Sequence, residues 1–436
     1  MNPSVLSFAT GLKCINCGAT YPVAKIYDGC PRCKTEKMVA ALTVTYDYGK
    51  VSSAVTARDL EKVGPGISKF RSLLPVDGRF VGLGEGNTPL LRCDRLAERI
   101  GLHNLTVKDE SRNPTWSHKD RLCCVSVSKA LDFGAKTVTV SSSGNHGAST
   151  AAYAAKAGLD CVVFTLSNTP ATFLTMMRSY GARVVPVSTP RGRWALMERC
   201  VKEFDWYPTG NYTWPMVTGN PYGFEGYKTL GYELAVQHDW ELPDKVLVPT
   251  GAGDAIFGIW KAFHELQTEL GFTRKMPQMV SVEAASGAPI AKSLAKGLDY
   301  IEPVESRGTV ALSIGTSTSG LHALKAVKES KGLAVAVGDR EIMDAQRLLA
   351  STEGLYSEPS AAASVAGAIK MAAEGQISKD EKVVCIITST GLKDPDSAAS
   401  SMAGLPVIEA DWSTFVGYMR SHYHDELPVT ARIPSG

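Results

Sequence analysis

Residues 136–166, KTVTVSSSGNHGASTAAYAAKAGLDCVVFTL, decide the fold. KTVTV has the alternation of a strand, SSSGNHG is a loop of small residues, and the alanine-rich STAAYAAKAGL reads as a helix ending at a glycine. The apolar run DCVVFTL then suits a strand covered on both faces. The same order returns twice. KVLVPT (245–250) precedes a glycine loop and the helix-like AIFGIWKAFHEL (255–266), and AAASVAGAIKMAAEG (361–375) leads into KVVCIITST (382–390). Repeated strand–helix alternation with apolar strands predicts an α/β fold with mainly parallel sheets flanked by helices.

The 436 residues, 44% of them hydrophobic, suffice for two or three domains. A net charge of +2 and the lack of a dense Lys/Arg run give no electrostatic case for nucleic acid or an anionic membrane. The expected partner is a small molecule. The opening MNPSVLSFATGLKC has no basic flank before an apolar run, and no stretch approaches about 18 uninterrupted apolar residues, so a cytoplasmic location is expected.

Ten cysteines are present, but only four are regularly spaced. Cys14, Cys17, Cys30 and Cys33 form two CxxC pairs 12 residues apart, the spacing of a zinc ribbon in which two turns each offer two thiolates to one ion. Four thiolates leave no open coordination position, so a structural Zn2+ is expected. Unliganded thiols or two disulfides are the alternative.

Ligands of open parallel sheets bind beyond the carboxyl ends of the strands, so the loops there are the candidate sites. One is Ser141 to Gly147, an anion cradle or a plain strand-to-helix turn. A second, Gly251 to Ala255, can bring bare amides close to a phosphate but lacks both the third glycine of the dinucleotide fingerprint and the GK[ST] of a P-loop. A third, Thr388 to Gly391, offers hydroxyls. Lys119, in NPTWSHKD (113–120), would open a helix, where the dipole disfavours a cation. It is either a solvated surface residue or an amine with a depressed pKa. A lysine, two glycine-rich anion loops and a hydroxyl loop together suit pyridoxal phosphate.

Six stretches, LGEGNTPL (83–90), NPTWSHKDR (113–121), SGNHGASTAAYAAKAGL (143–159), NPYGFEGYKT (220–229), EGLYSEPSAAASVAGA (353–368) and TSTGLKDPD (388–396), resemble in order the motifs of threonine synthase and its relatives among fold-type II pyridoxal-phosphate enzymes. The resemblance runs from about residue 80 to 400. It implies two parallel-sheet domains with flanking helices, a large one (46–118 and 206–436) and a small one (119–205), beside a ribbon at 1–45. It also implies pyridoxal 5'-phosphate carried as a Schiff base on Lys119. Asn145 would meet the cofactor's phenolic oxygen, Gly251, Ala252, Gly253, Asp254 and Ala255 would cup its phosphate, and Thr388 would face its ring nitrogen. Substrate binding falls to Ser142, Ser143 and His146, the serines being suited to an α-carboxylate. A homodimer is the expected assembly.

Four positions depart from that pattern, one of them His146, whose SGNHG resembles the serine/threonine dehydratase branch instead. Trp116 and His118 stand where threonine synthases commonly have Gly and Phe, and the imidazole of His118 is either a packed, hydrogen-bonded group or a proton shuttle. Gly223 replaces an arginine that helps hold the substrate's phosphate, which predicts weak activity on O-phosphohomoserine and a smaller or uncharged leaving group unless Arg112, Arg121 or Lys228 substitutes. The expected activity is a lyase that removes an α-proton and then eliminates or replaces a side-chain group, by default converting O-phosphohomoserine and water to threonine and phosphate. The rivals are a serine/threonine dehydratase-like or β-replacement enzyme and, from another class, a zinc-ribbon interaction protein with a degenerate enzyme domain.

Overall fold

A computed structural model describes residues 7–424, apart from 63, 218, 401 and 403. Strands β1 (Ala9–Cys14), β2 (Thr20–Tyr21) and β3 (Leu42–Tyr46) form a small antiparallel sheet in the order β2-β1-β3. Strands β4 (Leu90–Arg92) and β5 (Asn104–Asp109) belong to a larger sheet further along the chain. Between its two parts, β6 (Thr137–Ser141), β7 (Asp160–Leu166), β8 (Arg183–Val187) and β9 (Tyr207–Pro208) make a parallel sheet in the order β8-β7-β6-β9. Strands β10 (Lys245–Pro249), β11 (Gln278–Ala284), β12 (Leu333–Val337) and β13 (Lys382–Ile387) complete the larger sheet, ordered β12-β11-β10-β13-β5-β4.

Every neighbour in the larger sheet is parallel except the edge strand β4, which runs against β5 with Leu91 opposite Val107. All five residues of β10 are buried. Helices cover both faces of such a strand, which is why its sequence is a continuous apolar run. Lys245 of β10 lies level with Gln278 of β11 and Val383 of β13, so these strands end together and their following loops share one rim. The two predicted parallel sheets and the helices around them are present.

The Asn145–Ala157 helix packs on β6 and β7 and stops at Gly158, whose φ of 77° is the left-handed cap conformation that glycine adopts without strain. The described residues from Asp396 to His424 belong to a separate compact unit containing the Trp412–Tyr423 helix, capped by Asp411. No helix among the described residues is long and apolar enough to cross a membrane.

Candidate active site

Lys119 opens the Lys119–Asp132 helix on the loop that follows β5. Its two followers anchor it. Asp120 accepts hydrogen bonds from Thr115 N (2.6 Å), Thr115 Oγ1 (2.5 Å) and Ser149 Oγ (2.6 Å). Arg121, wholly buried, binds Glu110 and Glu233 through paired contacts of 2.6–2.8 Å. Between these clamps the Lys119 ammonium donates to Tyr227 Oη at 3.0 Å, and desolvation lowers its pKa although Asp254, Cys123 and Glu358 pull the other way. A lowered pKa is what a nucleophilic amine requires.

Loops from both parallel sheets meet at Asn145. Its Oδ1 accepts from Lys393 Nζ (2.6 Å) and Ser389 Oγ (3.3 Å), and its Nδ2 donates to both Glu358 oxygens at 3.1 Å. The lysine cation fixes the amide's orientation, because only the oxygen can face a donor. Neither Lys393 nor Glu358 was singled out from sequence, although both lie inside the quoted motifs. A buried carboxylate or ammonium is legible only once its neighbours are known. Burial raises the pKa of Glu358 and pushes that of Lys393 down to about 8.

Thr388 follows β13. Its carbonyl accepts from His118 N (2.9 Å) and lies 3.1 Å from His118 Nδ1, while its hydroxyl makes no hydrogen bond among the described residues. The His118 ring stacks on Tyr227 with centroids 5.3 Å apart, and burial and the Lys119 charge hold its pKa well below the ordinary value. That is a packed, neutral imidazole. His146 is neutral as well, pushed down to about 3 by burial and then by Lys119, and its Nε2 is buried without a partner among the described residues.

The Gly251–Ala255 loop opens the Asp254–His264 helix. A Cβ at Gly251 would come within 2.8 Å of Ser313 O, and one at Gly253, whose φ is +101°, within 2.2 Å of Ala323 Cβ. Only glycine fits, and helix-start amides are left bare for an anion. Asp254 turns toward Gly219 N (3.3 Å), with His322 Nε2 3.0 Å from its Oδ1. A low-pKa amine, a glycine cup, an unbonded Thr388 hydroxyl and the buried Nε2 of His146 fit pyridoxal phosphate.

Of the residues expected to bind substrate, Ser142 accepts at Oγ from Gly144 N (3.2 Å). Ser143 Oγ is held by Leu166 N (3.3 Å) and Arg193 Nη1 (2.9 Å). Gly223 lies in a turn gathered by Asn220, whose Oδ1 accepts from Tyr222 N (2.8 Å) and Gly223 N (3.1 Å). A Cβ there would meet Ser126 Cβ at 3.1 Å and Leu122 Cγ at 3.3 Å, so the position is packed against the Lys119–Asp132 helix. The three cations named as possible substitutes already have carboxylate partners. Arg121 is spent on two carboxylates, buried Lys228 pairs with Glu225 (2.8 Å) and Glu265 (3.0 Å), and Arg112 binds Asp109 at 2.8 Å from a side chain 63% exposed.

Away from this cleft, the sulfurs of Cys14, Cys17, Cys30 and Cys33 all lie within 4.8 Å of one another, with Cys14–Cys33 at 3.5 Å and Cys17–Cys30 at 3.7 Å. None is in a disulfide. Tetrahedral zinc with bonds of about 2.3 Å separates its sulfurs by about 3.8 Å, and Asn16 N and Cys17 N point at Cys14 Sγ as in a metal-binding turn.

Comparison with known proteins agrees with this geometry. The family described as "Pyridoxal-phosphate dependent enzyme" matches residues 81–389. Threonine synthase of Methanosarcina acetivorans is 38% identical over 92% of this chain and 96% of its own length, and that of Methanocaldococcus jannaschii is 36% identical over 92% and 96%. Among solved structures, maize serine racemase superposes with a TM-score of 0.60 at 21% identity, covering 78% of this chain and 93% of that one, a likeness of fold. The ordered motifs, the meeting of three strand-end loops around a low-pKa lysine and the length of the match lead to one assignment: the chain belongs to the pyridoxal-phosphate-dependent enzyme family and is a lyase of the threonine synthase type.

Proposed function

We propose that the lyase acts on a small amino acid with Lys119 as cofactor anchor and proton carrier, a reading supported above all by the lowered pKa of Lys119 beside the fixed amide of Asn145. Asn145, Gly251 to Ala255 and Thr388 would hold pyridoxal phosphate, which when bound supplies an electron sink for charge developing at the substrate's α-carbon. Ser142 and the amides opening the Asn145–Ala157 helix receive the α-carboxylate. Lys119 Nζ takes the α-proton and returns a proton later, and Tyr227 Oη, 3.0 Å away, keeps the amine aimed. The neutral imidazoles of His118 and His146 shape the cleft without adding charge. A hydroxyl at Thr388, unlike a carboxylate, does not hold the ring nitrogen protonated, which favours elimination and replacement over transamination.

The default reaction is conversion of O-phosphohomoserine and water to threonine and phosphate. The packing of Gly223 favours a second reading, in which the preferred substrate of the same chemistry is another amino acid. Titrating the coloured holoenzyme with O-phosphohomoserine, O-phosphoserine, serine and threonine, and assaying phosphate and ammonia, separates the two. Dominant turnover of O-phosphohomoserine supports the default, and ammonia from serine or threonine supports the dehydratase-like reading. Lys119→Ala is expected to abolish turnover and borohydride trapping of the cofactor; trapping that survives would move the anchor elsewhere. For the ribbon the proposal is one structural zinc, and its reduced thiols fit a cytoplasmic enzyme.

A further inference from the structure

A phosphate group is normally held by arginine; Gly223 offers none, and Arg121 and Lys228 are buried and paired with carboxylates. One arginine elsewhere is unspent. Arg193 lies on the Pro190–Phe204 helix, whose start is capped by Thr189, and sends Nη1 2.9 Å to Ser143 Oγ. Its Nε is buried with no hydrogen-bond partner among the described residues. Burial alone lowers its pKa, with no anion opposing the shift. A half-buried guanidinium with an idle, buried Nε–H is costly, and such a group is expected to meet an anion the protein itself does not provide.

Its surroundings suit that anion. Ser143 is in the loop after β6, two residues before the helix that opens at Asn145, so its hydroxyl brings the guanidinium to the edge of the candidate cleft. Thr165 Oγ1 (3.4 Å) and Leu166 N (3.3 Å) also donate to Ser143 Oγ, which holds the hydroxyl, and through it Arg193, in place. An α-carboxylate is served by hydroxyls and amides of this loop alone, so the extra cation is surplus to a plain amino acid. We propose that Arg193 is a specificity-determining residue that binds a tetrahedral oxyanion, the phosphate of a phosphorylated amino acid or the free phosphate it releases, in place of the arginine absent at position 223. The inference rests on the lyase reading for the substrate's identity, but the anion site can be tested without turnover.

The test pairs Arg193→Gln with Arg193→Lys and, as a control, Arg191→Gln, since Arg191 is exposed and lies over the Trp214 ring at 4.1 Å. Calorimetric titration with inorganic phosphate reads the site directly. KM and kcat for O-phosphohomoserine and O-phosphoserine, with serine and threonine titrated by the cofactor spectrum, read its use. Arg193→Gln should weaken phosphate binding and raise KM for phosphate esters tenfold or more with kcat little changed, leaving serine and threonine unmoved. Arg193→Lys, which keeps the charge but loses the fork, should fall between. Loss confined to the esters supports the substrate as occupant, and loss confined to inorganic phosphate supports the free anion. Equal loss for serine and for the esters would assign Arg193 to the α-carboxylate and overturn the proposal, as would phosphate binding that no Arg193 variant alters. If Arg193→Gln does not fold, the ester-to-serine ratio in Arg193→Lys decides. A wild type whose spectrum answers to no amino acid refutes the lyase reading, while the phosphate titration still judges Arg193.

Discussion

Lys393 is the residue through which pH should reach the cofactor site. Its folded pKa of about 8 lies below that of an ordinary lysine, so the unfolded chain keeps the proton longer as pH rises. The sign follows: burying Lys393 costs stability below about pH 8, and the cost fades between there and the usual lysine pKa of about 10.4. Through the same range Asn145 Oδ1 loses its cationic donor. The bound cofactor's absorbance is therefore expected to show an inflection near pH 8 that Lys393→Met removes, and an inflection that persists in the variant would assign it to another group. Trp116 offers a second test. At φ +58° it takes the left-handed conformation that glycine adopts without cost, with the residue 49% exposed. Relief of about 1–2 kcal/mol of strain outweighs about 0.5–1 kcal/mol of added chain entropy, so Trp116→Gly should be more stable than Trp116→Ala, the reverse of the usual order. Urea midpoints decide between them, and an alanine variant at or above the glycine variant refutes the strain. Lys119 could be singled out in sequence because its motif is local. Lys393, Glu358 and Arg193 could not, because each acquires its meaning from a partner 50 to 250 residues away.

Among elements, the strands with continuous apolar runs were the easiest to read, since a segment covered on both faces has no polar period to confuse it. The turn at Asn220–Gly223 was harder. Its sequence signals a missing arginine, yet whether another cation fills the gap depends on which lysines and arginines are already paired with buried carboxylates. The two CxxC knuckles lie at the other extreme, because spacing alone brings four sulfurs together. Replacing Cys14 or Cys30 by serine is expected to lose one zinc per chain by metal analysis and to lower the thermal midpoint more than it alters the cofactor spectrum, since no coordination position faces the substrate. Carefully prepared wild type without zinc would end that reading.

At the scale of the molecule, two buried charge clusters fix how the elements meet. Lys108 and Arg121 face Glu110 and Glu233, while Lys228 and Lys261 face Glu225 and Glu265. Each cluster balances in charge, so removing one member leaves a stranded ion. Glu233→Gln is expected to cost about 3–5 kcal/mol. Glu329→Gln, which breaks a surface pair with Lys325, is expected to cost under about 1 kcal/mol. Denaturant unfolding measures both, and equal effects would deny the network its role. Composition gave no hint of these clusters, because near-neutral net charge is the same whether ions lie outside or within. The ribbon, too, is tied into the whole: Tyr222 Oη accepts from Ala24 N (2.9 Å) and donates to Ala24 O (2.7 Å), and Tyr222 is the neighbour of Gly223. With zinc held by the four cysteines as proposed, its removal is expected to be felt at the Asn220–Gly223 turn as well as in the ribbon. Under that proposal, two hydrogen bonds on a single phenol would make the supply of a trace element a condition on amino-acid chemistry.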